Sequence, residues 1–229
     1  MWLWPALLPL ASAALLLTLG ADRPAVFAGL GLYALISSGL AFLRRRLAAP
    51  FGWASQVTLA RSGLVALLTG ALLDPALYQE LAWWLSGLAL VALILDGVDG
   101  WLARSLNEIS DFGGRFDMEV DAALILVLCL GLVVADKAGV WVLAIGLMRY
   151  AFVAAAWSQS WLAAPLPPSF RRKLVCVWQV AALMICLTPI VSPALAAPIL
   201  ASALVLLTWS FSVDLAWLRR QATLTYSNC

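Results

Sequence analysis

The sequence predicts an all-α integral membrane protein, a six-helix core preceded by an N-terminal two-helix hairpin. Two observations carry this. Of the 229 residues, 64% are hydrophobic and 11% are charged, whereas a soluble domain is about half apolar and a quarter charged. The mean hydropathy is +0.98. The apolar residues also lie in long continuous runs, without the two-residue alternation of a lipid-facing barrel strand.

Taken in order, the run from Trp2 to Gly20 has the apolar character of a signal peptide but no basic segment before it. A second run, Pro24 to Leu43, follows almost at once, so the two read as a membrane hairpin. Arg44, Arg45 and Arg46 close it, and the unit spans residues 1–47. The stretch Ala48 to Gln56 contains Pro50 and Gly52 and reads as a linker or interfacial segment. Six further helices fit the remainder, residues 48–229: about Leu59–Leu73, Leu81–Asp99, Phe116–Ala135, Gly139–Trp157, Leu174–Ile190 and Ala194–Trp209. Twelve tryptophans fit interfacial belts, and pairs such as Trp83-Trp84 need no catalytic explanation.

Basic residues set the orientation. With the N-terminus cytoplasmic, that side carries Arg44–Arg46, Arg61, Arg104, Arg115, Arg171–Lys173, Arg219 and Arg220, and the other side carries Arg23 and Lys137. The expectation is a multi-pass protein of the cytoplasmic (inner) membrane.

The chain has no histidine, which excludes His-activated nucleophiles, His zinc sites and His-based phosphodiester chemistry. Acid–base work then falls to carboxylates, Lys, Tyr, Cys or water. Cys129, Cys176 and Cys186 lie in apolar runs, Cys229 ends the chain, and no CxxC pair exists, so the cysteines read as small hydrophobes.

Against this background stand four aspartates in DGVDGWLARSLNEISDFGGRFDMEVDAAL: Asp96, Asp99, Asp117 and Asp121. A carboxylate in hydrocarbon costs roughly 2.5–3.5 kcal/mol on insertion scales, and four together repel one another. Divalent metal is the simplest compensation. Positions 96, 99, 100 and 103 share one helical face, as do 113, 117 and 121. The first set ends one helix and the second begins the next, so two carboxylate ladders can face each other. Hard oxygen donors suit Mg²⁺ or Mn²⁺, and two ions suit phosphoryl chemistry. Gly100, Ala103 and Gly113 keep those faces clear, and Arg104 offers a fork for phosphate oxygens. The positive-inside count places the segment at the cytoplasmic edge.

The segment resembles the signature of the CDP-alcohol phosphatidyltransferase family at all eight specified positions: Asp96, Asp99, Gly100, Ala103, Arg104, Gly113, Asp117 and Asp121. The layout from about Ala54 onward is similar to that family's six core helices; the hairpin from Trp2 to Leu43 lies outside it. The resemblance implies a catalytic domain over 48–229 that moves a phosphatidyl group from CDP-diacylglycerol to a small polar alcohol and releases CMP. It implies that Asp96, Asp99, Asp117 and Asp121 hold two divalent ions, with Asp121 as general base. It further implies that Asp99, Gly100, Ala103, Arg104 and Gly113 shape the CDP site. The lipid bilayer and a second copy of the chain are the implied partners, and nucleic acid is not among them.

Ser55-Gln56-Val57-Thr58-Leu59-Ala60-Arg61 resembles the family's N-x-x-T-x-x-R entry motif, with Ser55 where the family has Asn. Thr58 is expected either at the CDP site or as cap of the first core helix. Arg149 lies inside a helix, where a cation usually faces a polar cavity. By resemblance Arg149, Arg171, Arg172 and Lys173 line the acceptor pocket; the last three also suit contact with anionic lipid. Glu108, Asp111 and Glu119 fall off the motif and read as solvated charges. Glycerol 3-phosphate is the leading acceptor, although Tyr150 stands where glycerophosphate-transferring relatives tend to have an acid. Inositol phosphate, serine and phosphatidylglycerol are the alternatives. A carboxylate-lined cation transporter competes for the aspartates but leaves Gly100, Ala103, Arg104 and Gly113 unexplained and predicts carboxylates near the midplane. A non-catalytic scaffold leaves the costly carboxylates without use.

Overall fold

A computed structural model describes residues 4–47, 51–108, 110–164, 166–167 and 169–227. Among these there is no strand, and the helices run in chain order: α1 (Trp4–Thr18), α2 (Arg23–Leu47), α3 (Trp53–Ala71), α4 (Pro75–Glu80), α5 (Ala82–Ser105), α6 (Asp111–Val134), α7 (Leu143–Ser158), α8 (Phe170–Leu187) and α9 (Pro193–Ser227). Short 3₁₀ turns at Val140–Val142 and Ser160–Ala163 flank α7. Among the described residues, four helical stretches are long and apolar enough to cross a membrane: Arg23–Arg46, Ala82–Ser105, Val140–Ser158 and Pro193–Thr223. The chain is a multi-pass membrane protein.

The helix boundaries differ from the expected ones where local signals were short. α3 begins at Trp53, so the last four residues of the expected linker, 53–56, are helix, and Pro50 lies outside the described residues. Thr58 is therefore inside α3 and caps nothing. Ser110 caps α6 instead, its hydroxyl accepting from the Gly113 amide at 3.1 Å. The turn between α5 and α6 is short because Asn107 takes a left-handed conformation (φ 53°), which Asn tolerates better than most residues. α9 continues well past Trp209 because neither Gly nor Pro interrupts residues 199–227. At 35 residues it spans about 52 Å, well over a ~30 Å hydrocarbon core.

α3 is the central post. Every residue from Ala54 to Leu68 is buried, and the helix contacts α1, α2, α5 and α6. The N-terminal hairpin packs directly against it. Gly29 of α2 and Gly70 of α3 permit a backbone-to-backbone crossing: a Cβ on Gly70 would sit 2.6 Å from the Gly29 nitrogen. Small residues at such crossings are the usual device of membrane helix pairs. α1 rests on the same post, with Pro9 against Gly63 and the Trp4 indole donating to Gln56 Oε1 at 2.5 Å. A second layer, α7–α9, packs on α5 and α6 and buries Val142, Ile145, Leu183 and Leu200 in the same core.

Two polar pins close the turns at one end of the bundle. Tyr78 is buried beside Gly131, and its hydroxyl donates to the Leu68 carbonyl at 2.8 Å. Burial pushes that phenol well up, so it stays a donor. The Lys137 ammonium donates to the carbonyls of Thr188 (3.3 Å) and Val191, satisfying acceptors at the end of α8.

Candidate active site

The site forms where three helices meet. α5 carries Asp96, Asp99, Gly100 and Ala103, α6 carries Gly113, Asp117 and Asp121, and α3 carries Thr58 and Arg61. Spacings of three and four residues keep each set on one face, and the tight turn at Asn107 folds the two acidic faces toward each other. One oxygen from each of Asp96, Asp99 and Asp117 lies within 4.8 Å of the others. This is a hard, anionic, oxygen-only donor set, which fits a divalent cation of the Mg²⁺ or Mn²⁺ type.

Arg61 anchors the cluster. Its side chain is 0% exposed, and its guanidinium reaches all four aspartates. Nη1 bonds Asp96 and lies 3.8 Å from Asp99, both on α5. Nη2 lies 2.5 Å from Asp117 and 3.2 Å from Asp121, both on α6. The sequence places Arg61 among the orienting charges and at the end of the stretch that resembles the family's entry motif, but assigns it no role at the carboxylates. The available signal was its i+3 spacing from Thr58, which puts both on one face of α3. Thr58 Oγ1 donates to Asp99 Oδ2 at 2.9 Å and lies 3.1 Å from the Ala54 carbonyl oxygen. Asp99 is buried, whereas Asp96, Asp117 and Asp121 keep 36%, 33% and 43% of their side-chain surface open.

Beside the carboxylates lies a cavity of about 100 Å³ lined by Ser55, Thr58, Asp99, Gly100, Ala103 and Gly113, with Glu108, Ser110, Gly114 and Asp117. The small motif residues keep it open: a Cβ on Gly113 would lie 3.1 Å from Ser55 Oγ and 3.0 Å from Ser110 Oγ. Arg104 does not line it; this exposed side chain lies over Gly100, with Nη1 3.4 Å from where a Cβ would be. Glu108 is not a free solvated charge. Its carboxylate accepts from the Ala54 amide at 3.2 Å, at the start of α3, and leaves room for nothing larger than Gly52; a carboxylate at a helix N-terminus is favourably placed.

A second cavity of about 380 Å³ opens between α6, α7, α8 and α9. Its wall is mostly apolar, with Arg149, Arg172, Gln179, Ser210 and Asp214 as polar points. Arg149 pairs with Glu119 at 2.7 Å, so Glu119, although exposed, is bound rather than freely solvated. Arg171 does not itself line the cavity but ties α8 to α9 through two residues that do, donating to Ser210 O (2.6 Å), Ser210 Oγ (2.5 Å) and Asp214 Oδ1 (2.5 Å). Arg172 donates to the Pro167 carbonyl and stands 3.8 Å from Asp214. Lys173 is exposed and does not line the cavity. The four basic residues expected together are thus divided: two at the cavity, one as a helix tie, one on the surface. The phase of α8 explains this, since three consecutive residues point in three directions about 100° apart.

A search of curated proteins and a search of solved structures each returned no match. A family model described as CDP-alcohol phosphatidyltransferase matches residues 51–213, a span that takes in α3, both carboxylate ladders, the smaller cavity and all of the larger cavity's lining except Asp214. The match covers well over half of the chain, and the chain belongs to the CDP-alcohol phosphatidyltransferase family.

Proposed function

We propose that the protein transfers a phosphatidyl group from CDP-diacylglycerol to a small polar alcohol and releases CMP. The observation that carries this is the convergence of Asp96, Asp99 and Asp117 beside a cavity walled by the motif's small residues. Asp96, Asp99, Asp117 and Asp121 would hold two divalent ions, Mg²⁺ or Mn²⁺. Such ions, when bound, neutralise the pyrophosphate and stabilise the departing CMP. Asp99, Gly100, Ala103 and Gly113 shape the CDP site, Thr58 acts there by holding Asp99 in place, and Arg104 covers it from its rim. Asp121 takes the proton of the attacking hydroxyl. That oxygen forms a bond to the phosphorus bearing diacylglycerol, and the bond from that phosphorus to the CMP oxygen breaks.

The larger cavity is the acceptor site in this reading. Arg149 and Arg172 face it, Arg171 holds its wall, and Lys173 lies outside on the surface. Glycerol 3-phosphate is the favoured acceptor because two guanidinium groups meet there; Glu119 and Asp214 share those charges. The division into a hairpin (1–47) and a catalytic unit (48–229) is supported by the start of the family match at residue 51. Placement in the cytoplasmic membrane with the site facing the cytoplasm rests on the basic-residue asymmetry, and a homodimer rests on family likeness.

The test is CMP release by the purified full chain with CDP-diacylglycerol, Mg²⁺ or Mn²⁺, and a panel of glycerol 3-phosphate, inositol phosphate, serine and phosphatidylglycerol. Release should need metal, stop on chelation, and fall at least about 100-fold in Asp117→Asn. No release with any acceptor, together with metal flux into vesicles, would replace the transferase with a transporter.

A further inference from the structure

We propose that Arg61 is the resident counter-cation of the carboxylate cluster. It assembles the four ligands before metal arrives, and divalent ions enter by taking carboxylate oxygens from its guanidinium. This rests on the divalent-metal reading of the site.

The geometry is that of a clamp. One guanidinium nitrogen serves the two aspartates of α5 and the other serves the two of α6, so a single planar group spans the inter-helix gap. Lysine, with one point charge, cannot do this. The group is fully enclosed and rises from the rigid post α3, behind carboxylates that stay open on their other side. Among the described residues its Nε has no hydrogen-bond partner, and the side chain's hydrogen bonds go to the cluster and the adjacent Asp117 carbonyl. Four carboxylates so close repel strongly unless a cation sits among them. One guanidinium holds them together but leaves a net negative charge that attracts divalent ions. Arginine does not deprotonate in proteins, so it always competes with metal for the same oxygens.

Two effects of opposite sign follow, and a merely structural arginine would not produce both. Losing Arg61 should weaken the metal-free protein and tighten metal binding. The experiment uses the full chain in detergent as wild type, Arg61→Gln and Arg61→Lys, with Mn²⁺ alone as probe. Free Mn²⁺ is titrated by electron paramagnetic resonance, and unfolding temperatures are taken in chelator and in saturating Mn²⁺. In chelator, Arg61→Gln should unfold roughly 5–10 °C below wild type, and Mn²⁺ should close most of that gap. Its Mn²⁺ dissociation constant should fall about tenfold or more. Arg61→Lys, which keeps the charge and guards against loss of fold in the glutamine variant, should bind Mn²⁺ about threefold tighter than wild type. Mn²⁺ affinity unchanged or weaker in both variants overturns the proposal while leaving the metal site standing. A wild type that binds no Mn²⁺ removes the metal reading, and this proposal with it.

Discussion

Thr58→Val isolates the hydroxyl that positions Asp99. Valine keeps the shape and removes the donor that now lies 2.9 Å from Asp99 Oδ2. Both partners are buried, at 3% and 4% exposure, so water does not readily replace the lost bond. Arg61, at 3.8 Å from the same oxygen, is beyond hydrogen-bond range. A hydrogen bond to a charged group contributes about 1.5–3 kcal/mol, which converts to about 10- to 150-fold in an equilibrium constant. Removing a residue that orients a metal ligand typically costs about 10–100-fold in affinity or activity, so the two routes agree. The assay is CMP release as a function of Mn²⁺ at fixed CDP-diacylglycerol. Half-saturating Mn²⁺ should rise about 10–100-fold, KM for CDP-diacylglycerol at saturating metal should stay near wild type, and Thr58→Ser should recover the wild-type curve. An unchanged metal requirement with a raised KM for CDP-diacylglycerol would refute the argument, because Thr58 would then act on the nucleotide directly.

Gly70→Val should lower the unfolding temperature by roughly 2–12 °C, from a 1–3 kcal/mol overpacking cost, because its side chain would enter the Gly29 backbone; thermal unfolding in detergent checks this, and no change would mean that the hairpin does not dock on α3 as described. Arg171 and Arg172 should separate cleanly. Arg171→Met, which cuts the ties to Ser210 and Asp214, should lower stability. Arg172→Gln should leave unfolding nearly unchanged and raise the acceptor KM about tenfold or more; a raised KM for CDP-diacylglycerol instead would move Arg172 out of the acceptor site.

Asp96, Asp99, Asp117 and Asp121 were legible because each is expensive where it lies. Helical phase then places each pair on one face without knowledge of the fold. Gly100, Ala103 and Gly113 were legible for the complementary reason: a face that must admit a ligand cannot carry bulk. The boundary errors had physical causes too. Thr58 looks like a cap because Thr caps helices, but α3 starts five residues earlier, at Trp53, where burial against the neighbouring helices outweighs local propensity.

By itself, the sequence determined the membrane class, the approximate positions of the long helices and the carboxylate ladders, since these follow from composition, periodicity and local spacing; the family followed from the resemblance of its signature residues. Only the tertiary structure decided what those ladders face. Arg61 and Thr58 lie 35 and 41 residues from Asp96 and Asp99, and Asp214 lies 43 residues from Arg171. Charge pairing across such distances depends on how helices cross, which small residues such as Gly29 and Gly70 set by letting backbones touch. The same packing turned three consecutive basic residues into a helix tie, a cavity wall and a surface charge.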